Sequence, residues 1–215
     1  MTTNAKRKPR PQRVGMSSTD LAFDELLPQE LRHLSPTHWT PVEVAIRAAS
    51  LLAPNPGTRV LDVGSGAGKL CAVGALSVHA MWCGIEQHEE LVTAARRLTR
   101  KLGIAHHTMF LHGDALAFDW SDFDAVYLYN PFELQLFPDT LTAEEHALAY
   151  KVQVARIQER LANLRGGTRV LTFHGFGGVM PATYELIFHE RVPVFGLDLV
   201  LWIQRSRAHR MWRRS

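Results

Sequence analysis

The sequence predicts a doubly wound α/β fold: a mostly parallel, seven-stranded sheet closed by a C-terminal antiparallel hairpin and preceded by short N-terminal helices. Three observations predict it. From Gly57 onward, short apolar strand-like runs alternate with helical patterns, which is how parallel strands joined by right-handed crossovers read. The first of these strands runs into a glycine-rich loop that opens a helix. The last two strand-like runs, 184–192 and 197–204, are separated by a turn too short for a helix, so they pair as a hairpin at the sheet edge.

Taken in order, residues 1–18 are polar, hold two prolines and show no periodicity, which predicts a disordered basic tail. Asp20 to Leu34 places apolar residues at helical spacing with a break near Pro28, predicting one or two short helices. Thr40, Pro41 and Glu43 form a Thr-x-x-Glu capping box for the next helix, whose apolar face is Val44, Ala48, Leu51 and Leu52 and which Pro54 and Pro56 stop. Arg59 to Val63 reads as the first strand, Lys69 to His79 as a small-residue helix, and Met81 to Ile85 as the second strand. Glu89 to Leu102 is a helix with Leu91, Ala95, Leu98 and Leu102 on one stripe, ended by Gly103. His107 to Leu111 and Ala125 to Tyr129 are strands three and four. Thr142-x-x-Glu145 caps a long helix carrying Leu148, Val152, Ala155 and Leu161, and Arg169 to His174 is strand five. The expected organisation is one domain over 19–215: a helical cap at 19–56, the core at 57–204 and a basic tail at 205–215.

Composition bounds the setting. The net charge of +3 conceals five basic residues in 1–13 (Lys6, Arg7, Lys8, Arg10, Arg13) and five in 204–215 (Arg205, Arg207, Arg210, Arg213, Arg214), so the rest of the chain carries −7. These tails aid solubility; the alternative is weak, non-specific attraction to nucleic acid through phosphate neutralisation. Two cysteines, Cys71 and Cys83, form neither a disulfide framework nor a zinc site. His106, His107 and His112 are too close on one short strand to surround a metal, so none is expected. The apolar run from Val192 to Ile203 is broken by Gly196 and Asp198, and the N-terminus has no apolar core like that of a secretory signal, so a cytoplasmic protein with no membrane partner is expected.

The glycine loop is VLDVGSGAGKL, residues 60–70. A phosphate-cradling P-loop needs a glycine where Val63 stands and a hydroxyl where Leu70 stands. The dinucleotide fingerprint needs a third glycine where Lys69 stands. What is present is D-x-G-x-G-x-G, from Asp62 to Gly68. Acidic or amide residues also close three further strands, at Glu86, Asp114 and Asn130, so they converge at the carboxyl edge of the sheet, where open α/β sheets bind ligands. Lys69 is expected at the surface, and Ala67 and Ala72 in packing.

The loop resembles the first motif of the class I, Rossmann-like S-adenosylmethionine-dependent methyltransferases, and the resemblance covers roughly residues 40–204. It implies S-adenosyl-L-methionine as cofactor, held by Thr40, Asp62, Gly64, Ser65, Gly66, Gly68, Glu86, Gln87, Asp114, Ala115 and Asn130. Within that set it puts Glu86, eighteen residues after Gly68, on the ribose hydroxyls, and Asp114 with Ala115 at the adenine edge. Trp39 and Thr40 would cover the methionine end. Asp62 could equally bind its own loop, and Asp114 could be an ordinary turn residue.

Strand four ends in YLYNPFE, which puts Asn130, Pro131 and Phe132 beside the transferred methyl as candidate catalytic residues. The triplet is similar to the N-P-P-[YF] motif of methyltransferases acting on amide or exocyclic amino nitrogens, but lacks the second proline. It also resembles, faintly, the Asn-Asn-Phe corner of the non-SET histone lysine methyltransferases. The implied function is methyl transfer to a nitrogen of a protein, nucleic-acid or small-molecule acceptor. The alternative is a catalytically silent cofactor- or RNA-binding protein on the same fold, and a nicotinamide dehydrogenase is disfavoured by the glycine spacing. His174, ending strand five, reads either as a general base or as a structural histidine.

Overall fold

The computed structural model describes residues 18–129 and 142–206; the tail before Ser18, the segment 130–141 and the basic residues after Ser206 lie outside them. The elements run α1 (Ser18–Asp24), a 3₁₀ turn (Gln29–Leu34), α2 (Ser35–His38), α3 (Val42–Leu52), β1 (Arg59–Val63), α4 (Lys69–Ser77), β2 (Met81–Glu86) and α5 (Glu89–Lys101). They continue with β3 (Thr108–His112), β4 (Ala125–Leu128), α6 (Ala143–Asn163), β5 (Arg169–Phe173), β6 (Tyr184–Val192) and β7 (Leu197–Gln204).

The strands form one sheet in the order β3-β2-β1-β4-β5-β7-β6. β1 to β5 are mutually parallel, and β7 inserts antiparallel between β5 and β6. Strand order reverses between β1 and β4, so the carboxyl ends of these two strands open the ligand-binding crevice expected of such sheets.

The period-two alternation of each strand divides the core. One face buries Val60, Trp82, Phe110, Ala125, Tyr127, Leu171 and Phe173 with the apolar side of α3 and α4. The other buries Leu61, Val63, Ile85, Val126, Leu128 and Val170 against α6 and Trp120. The small residues of α4 let it approach the sheet closely: a Cβ at Gly74 would lie 2.4 Å from the Trp82 ring. Among the described residues no helix is long and apolar enough to cross a membrane.

Two cap predictions came out differently. Thr142 and Glu145 form the expected box, Thr142 N–H donating to Glu145 Oε2 at 2.7 Å and Glu145 N–H to Thr142 Oγ1 at 3.3 Å. Thr142→Ala should destabilise the fold by about 1 kcal/mol, a fall of roughly 2–4 °C in Tm for a chain of this size, read by thermal melting. Thr40 is not a cap. Its hydroxyl pairs with Tyr127 Oη at 2.8 Å, and Val42 N–H donates instead to Asp20 Oδ1 at 2.9 Å. The stripe expected on α6 is also rotated. Val154, Ile157 and Leu161 face the sheet, whereas Leu148 and Val152 are exposed, because α6 carries two apolar stripes and the one with Ile157 fills the core.

Candidate functional site

The glycine loop is tied down along its length. Gly64 and Ser65 N–H both donate to Ile85 O, at 3.0 and 3.1 Å, and Gly68 N–H donates to Ser65 O at 2.9 Å. Gly66 N–H donates to Glu86 Oε2 at 2.9 Å. A phosphate cradle requires such N–H groups to point at the ligand. Here these four are engaged by protein acceptors. The loop lies flat on β2 because Gly84 has no side chain: a Cβ there would be 2.5 Å from Ser65 Oγ. Gly64, Gly66 and Gly68 have φ of 74°, 53° and 78°, a backbone that glycine adopts without strain.

Asp62 is buried, in register with Gly84 on β2 and Tyr127 on β4, and Cys71 Sγ donates to its Oδ2 at 3.6 Å. Burial pushes its carboxyl up to about 7; the nearby Glu86 adds to the rise and the Cys71 thiol opposes it. No ion pair to Asp62 is formed among the described residues. A buried acid of this kind is partly protonated near neutral pH, and a cation beside it favours the ionised form. Burial also holds the Tyr127 phenol well above its usual range, so it stays neutral against Thr40.

Glu86 closes β2 as predicted and is buried. Its Oε1 accepts from His88 N–H at 3.0 Å, so the carboxylate orders both the glycine loop and the turn after β2. Each carboxylate oxygen has a second lone pair, so these bonds leave capacity for hydroxyl donors. Gln87 is exposed; its carbonyl meets His112 Nε2 at 3.0 Å. Gly113 N–H donates to Glu86 O, which brings the Asp114–Ala115 turn alongside. Asp114 Oδ1 accepts from Leu116 N–H at 2.8 Å and its Oδ2 faces Arg156 at 3.9 Å. It therefore serves the turn that one reading of the sequence gave it. Ala115 is buried, its carbonyl held by Trp120 Nε1 at 2.9 Å.

The N-terminal cap closes the site from above. A Cβ at Gly66 would lie 3.0 Å from Trp39 Nε1, so the indole rests on the loop. Two buried donors here have no hydrogen-bond partner among the described residues: Trp39 Nε1 and Ser65 Oγ. Asp62 suits a ligand carrying an ammonium, and the two donors suit acceptor atoms of that ligand.

The structure thus gathers Thr40, Asp62, Gly64, Ser65, Gly66, Gly68 and Glu86 in one place, with Gln87, Asp114 and Ala115 beside them. Asn130, Pro131 and Phe132 lie outside the described residues. Lys69 was expected at the surface and is instead 2% exposed, its ammonium bonded to Asp20, Asp24 and Ser35. It points away from the site, as no phosphate-binding lysine would. Gly84 and Lys69 escaped the sequence reading because their roles depend on partners distant in the chain. His174 follows β5 with φ 63°, exposed, beside a cleft of about 460 Å³ lined by Phe176, Met180, Asp198 and Trp202.

Comparison with known proteins agrees with this geometry. The model of a family described as a methyltransferase domain matches residues 54–189, more than half of the chain. The chain belongs to this methyltransferase-domain family. It is similar to the uncharacterized protein YjhP of Escherichia coli K12, 32% identical over 68 residues, a stretch covering 32% of this chain and 27% of that protein. In fold it is similar to a putative methyltransferase of Escherichia coli, yhhF (TM-score 0.59, 16% identity, 80% of this chain and 90% of that one). An RNA methyltransferase from Salinibacter ruber, crystallised with S-adenosylhomocysteine, also shares the fold (TM-score 0.53, 24% identity, 78% and 94%).

Proposed function

We propose that the chain transfers a methyl group from S-adenosylmethionine to a nitrogen atom of its acceptor. The observation that carries the cofactor assignment is Asp62, a buried carboxyl with no ion pair among the described residues, beside a loop in which the N–H groups of Gly64, Ser65, Gly66 and Gly68 are already engaged. Asp62 would hold the ammonium and Glu86 the ribose hydroxyls, while Gln87, Asp114 and Ala115 would border the adenine and Thr40 and Trp39 the methionine end. S-adenosylmethionine, when bound, supplies a methyl carbon made electrophilic by its sulfonium.

The protein's task is then alignment, which can lower a barrier by roughly 7–11 kcal/mol when the reacting atoms are held in line. Asn130 lies outside the described residues, two positions after Leu128, which ends β4. Its side-chain oxygen and a backbone carbonyl near Pro131 would accept the acceptor's N–H hydrogens and so aim the lone pair. Phe132 would cover the acceptor and exclude water. RNA is the first acceptor class to test, because a fold neighbour methylates RNA and the chain's termini are rich in arginine.

The test is incubation with S-adenosylmethionine labelled in its methyl group and fractionated cell extract. Label is expected in one macromolecular or small-molecule fraction. Asn130→Ala should lower that transfer by about 100-fold, the scale of a misaligned reacting pair, and leave S-adenosylhomocysteine affinity within about twofold. Cofactor binding with no label in any fraction would favour the silent binding protein instead.

A further inference from the structure

Lys69 is the first residue of α4, directly after the glycine loop, and its ammonium is removed from water. It lies 2.8 Å from Asp20 Oδ1, 3.0 Å from Asp24 Oδ1 and 3.1 Å from Ser35 Oγ, so each of its three N–H groups meets one acceptor. The Phe23 ring stands 5.5 Å from the nitrogen. All these partners belong to the N-terminal cap. Asp20 does a second thing: its Oδ1 accepts the Val42 N–H that begins α3.

The consequence is geometric. Ser35 and Val42 bracket the short segment that carries Trp39 and Thr40, and both ends are fastened to the same buried cluster. Between those ends, Trp39 rests on Gly66 and Thr40 bonds Tyr127, the neighbour of Asp62. Buried charges are held only where partnered, so a cluster of two acids and one lysine persists only while the cap stays docked. We propose that Lys69 is a positioning residue for cofactor binding: with Asp20, Asp24 and Ser35 it clasps the cap segment 18–40 so that Trp39 and Thr40 close the site over the glycine loop. This rests on the cofactor reading given above and assigns to that site a clasp outside it.

The experiment pairs calorimetric titration of the full chain with S-adenosylhomocysteine and amide hydrogen exchange without ligand, which resolves local from global opening. Lys69→Met removes the ammonium that both buried acids contact. It should weaken binding by about tenfold or more and remove exchange protection over 18–40 while β1–β5 keep theirs. The double variant Asp20→Asn/Asp24→Asn should do the same. Replacing all three with apolar residues, Lys69→Met/Asp20→Leu/Asp24→Leu, should restore protection over 18–40 and most of the affinity, because packing then replaces the ion pairs.

The proposal is overturned if Lys69→Met binds the ligand as wild type does with 18–40 still protected. Loss of protection throughout β1–β5 also overturns it, since Lys69 would then be a general structural residue. A wild type that binds no S-adenosylhomocysteine overturns the cofactor reading and the positioning role with it. In that case protection over 18–40 that Lys69→Met loses and the apolar triple variant regains would mark a clasp without a cofactor beneath it.

Discussion

Asp62→Ala should lower the affinity for S-adenosylhomocysteine by about 30-fold or more, since removing one partner of a buried charge pair costs about 2–5 kcal/mol. The sheet register of β1 should be unchanged, since the alanine leaves only a small space beside Cys71. The pH dependence is more diagnostic. With its carboxyl raised to about 7, free Asp62 is mostly protonated in mild acid, whereas an ammonium ligand pairs with the ionised form. Affinity should therefore climb about tenfold for each pH unit up to 7 and level off above it, a trend absent in Asp62→Asn.

The same group works in the opposite direction on the free fold. Its carboxyl holds a proton more tightly folded than unfolded, so between about pH 4 and 7 the native state binds more protons. The stability owed to this group is whole below pH 4 and is lost as pH rises through 7, by roughly 4 kcal/mol at most. Denaturant unfolding as a function of pH should show this slope in wild type and a flatter one in Asp62→Asn. Saturating cofactor should remove it, because the pair keeps the acid ionised.

Gly84→Val should be the most damaging single change to the architecture of the site. The added Cβ would stand 2.5 Å from Ser65 Oγ and 2.8 Å from the Phe110 ring, and β2 is held on both edges by β1 and β3. The glycine loop is the part free to yield. Overpacking of this kind costs roughly 1–3 kcal/mol, so Tm should fall by several degrees. Lifting Ser65 would also break the bonds from Gly64 and Ser65 to Ile85 O, and with them the placement of Gly66. Binding of S-adenosylhomocysteine should drop at least tenfold even well below the new Tm. Gly84→Ala introduces the same Cβ and should show the same trend in a weaker form.

The parts of this account legible in the sequence are those set by local pattern. Strand and helix alternation located all seven strands within a residue or two, since period-two apolar runs and capped amphipathic helices are local signals. The Asp62–Gly68 loop and Glu86 were identifiable because their spacing reflects one βαβ unit. What could not be read depended on partners far away in the chain. Lys69 looks like a surface lysine at the start of a helix until Asp20 and Asp24 are brought onto it across 45 or more residues. Thr40 has the spacing of a cap, yet its hydroxyl faces Tyr127 on a strand 87 residues later. Gly84 is one glycine in an apolar run, and only the loop resting on it reveals why a side chain is excluded. On α6 the sequence offers two apolar stripes, and the sheet chooses between them.

The central claim is that the crevice around Asp62 and Glu86 binds S-adenosylmethionine. Calorimetric titration of the wild-type chain with S-adenosylhomocysteine at pH 8, beside Asp62→Ala, tests it most directly. Saturable binding at one site per chain is expected, weakened by about 30-fold or more in the variant. Absence of binding to the wild type, or equal affinity in the two proteins, would contradict it.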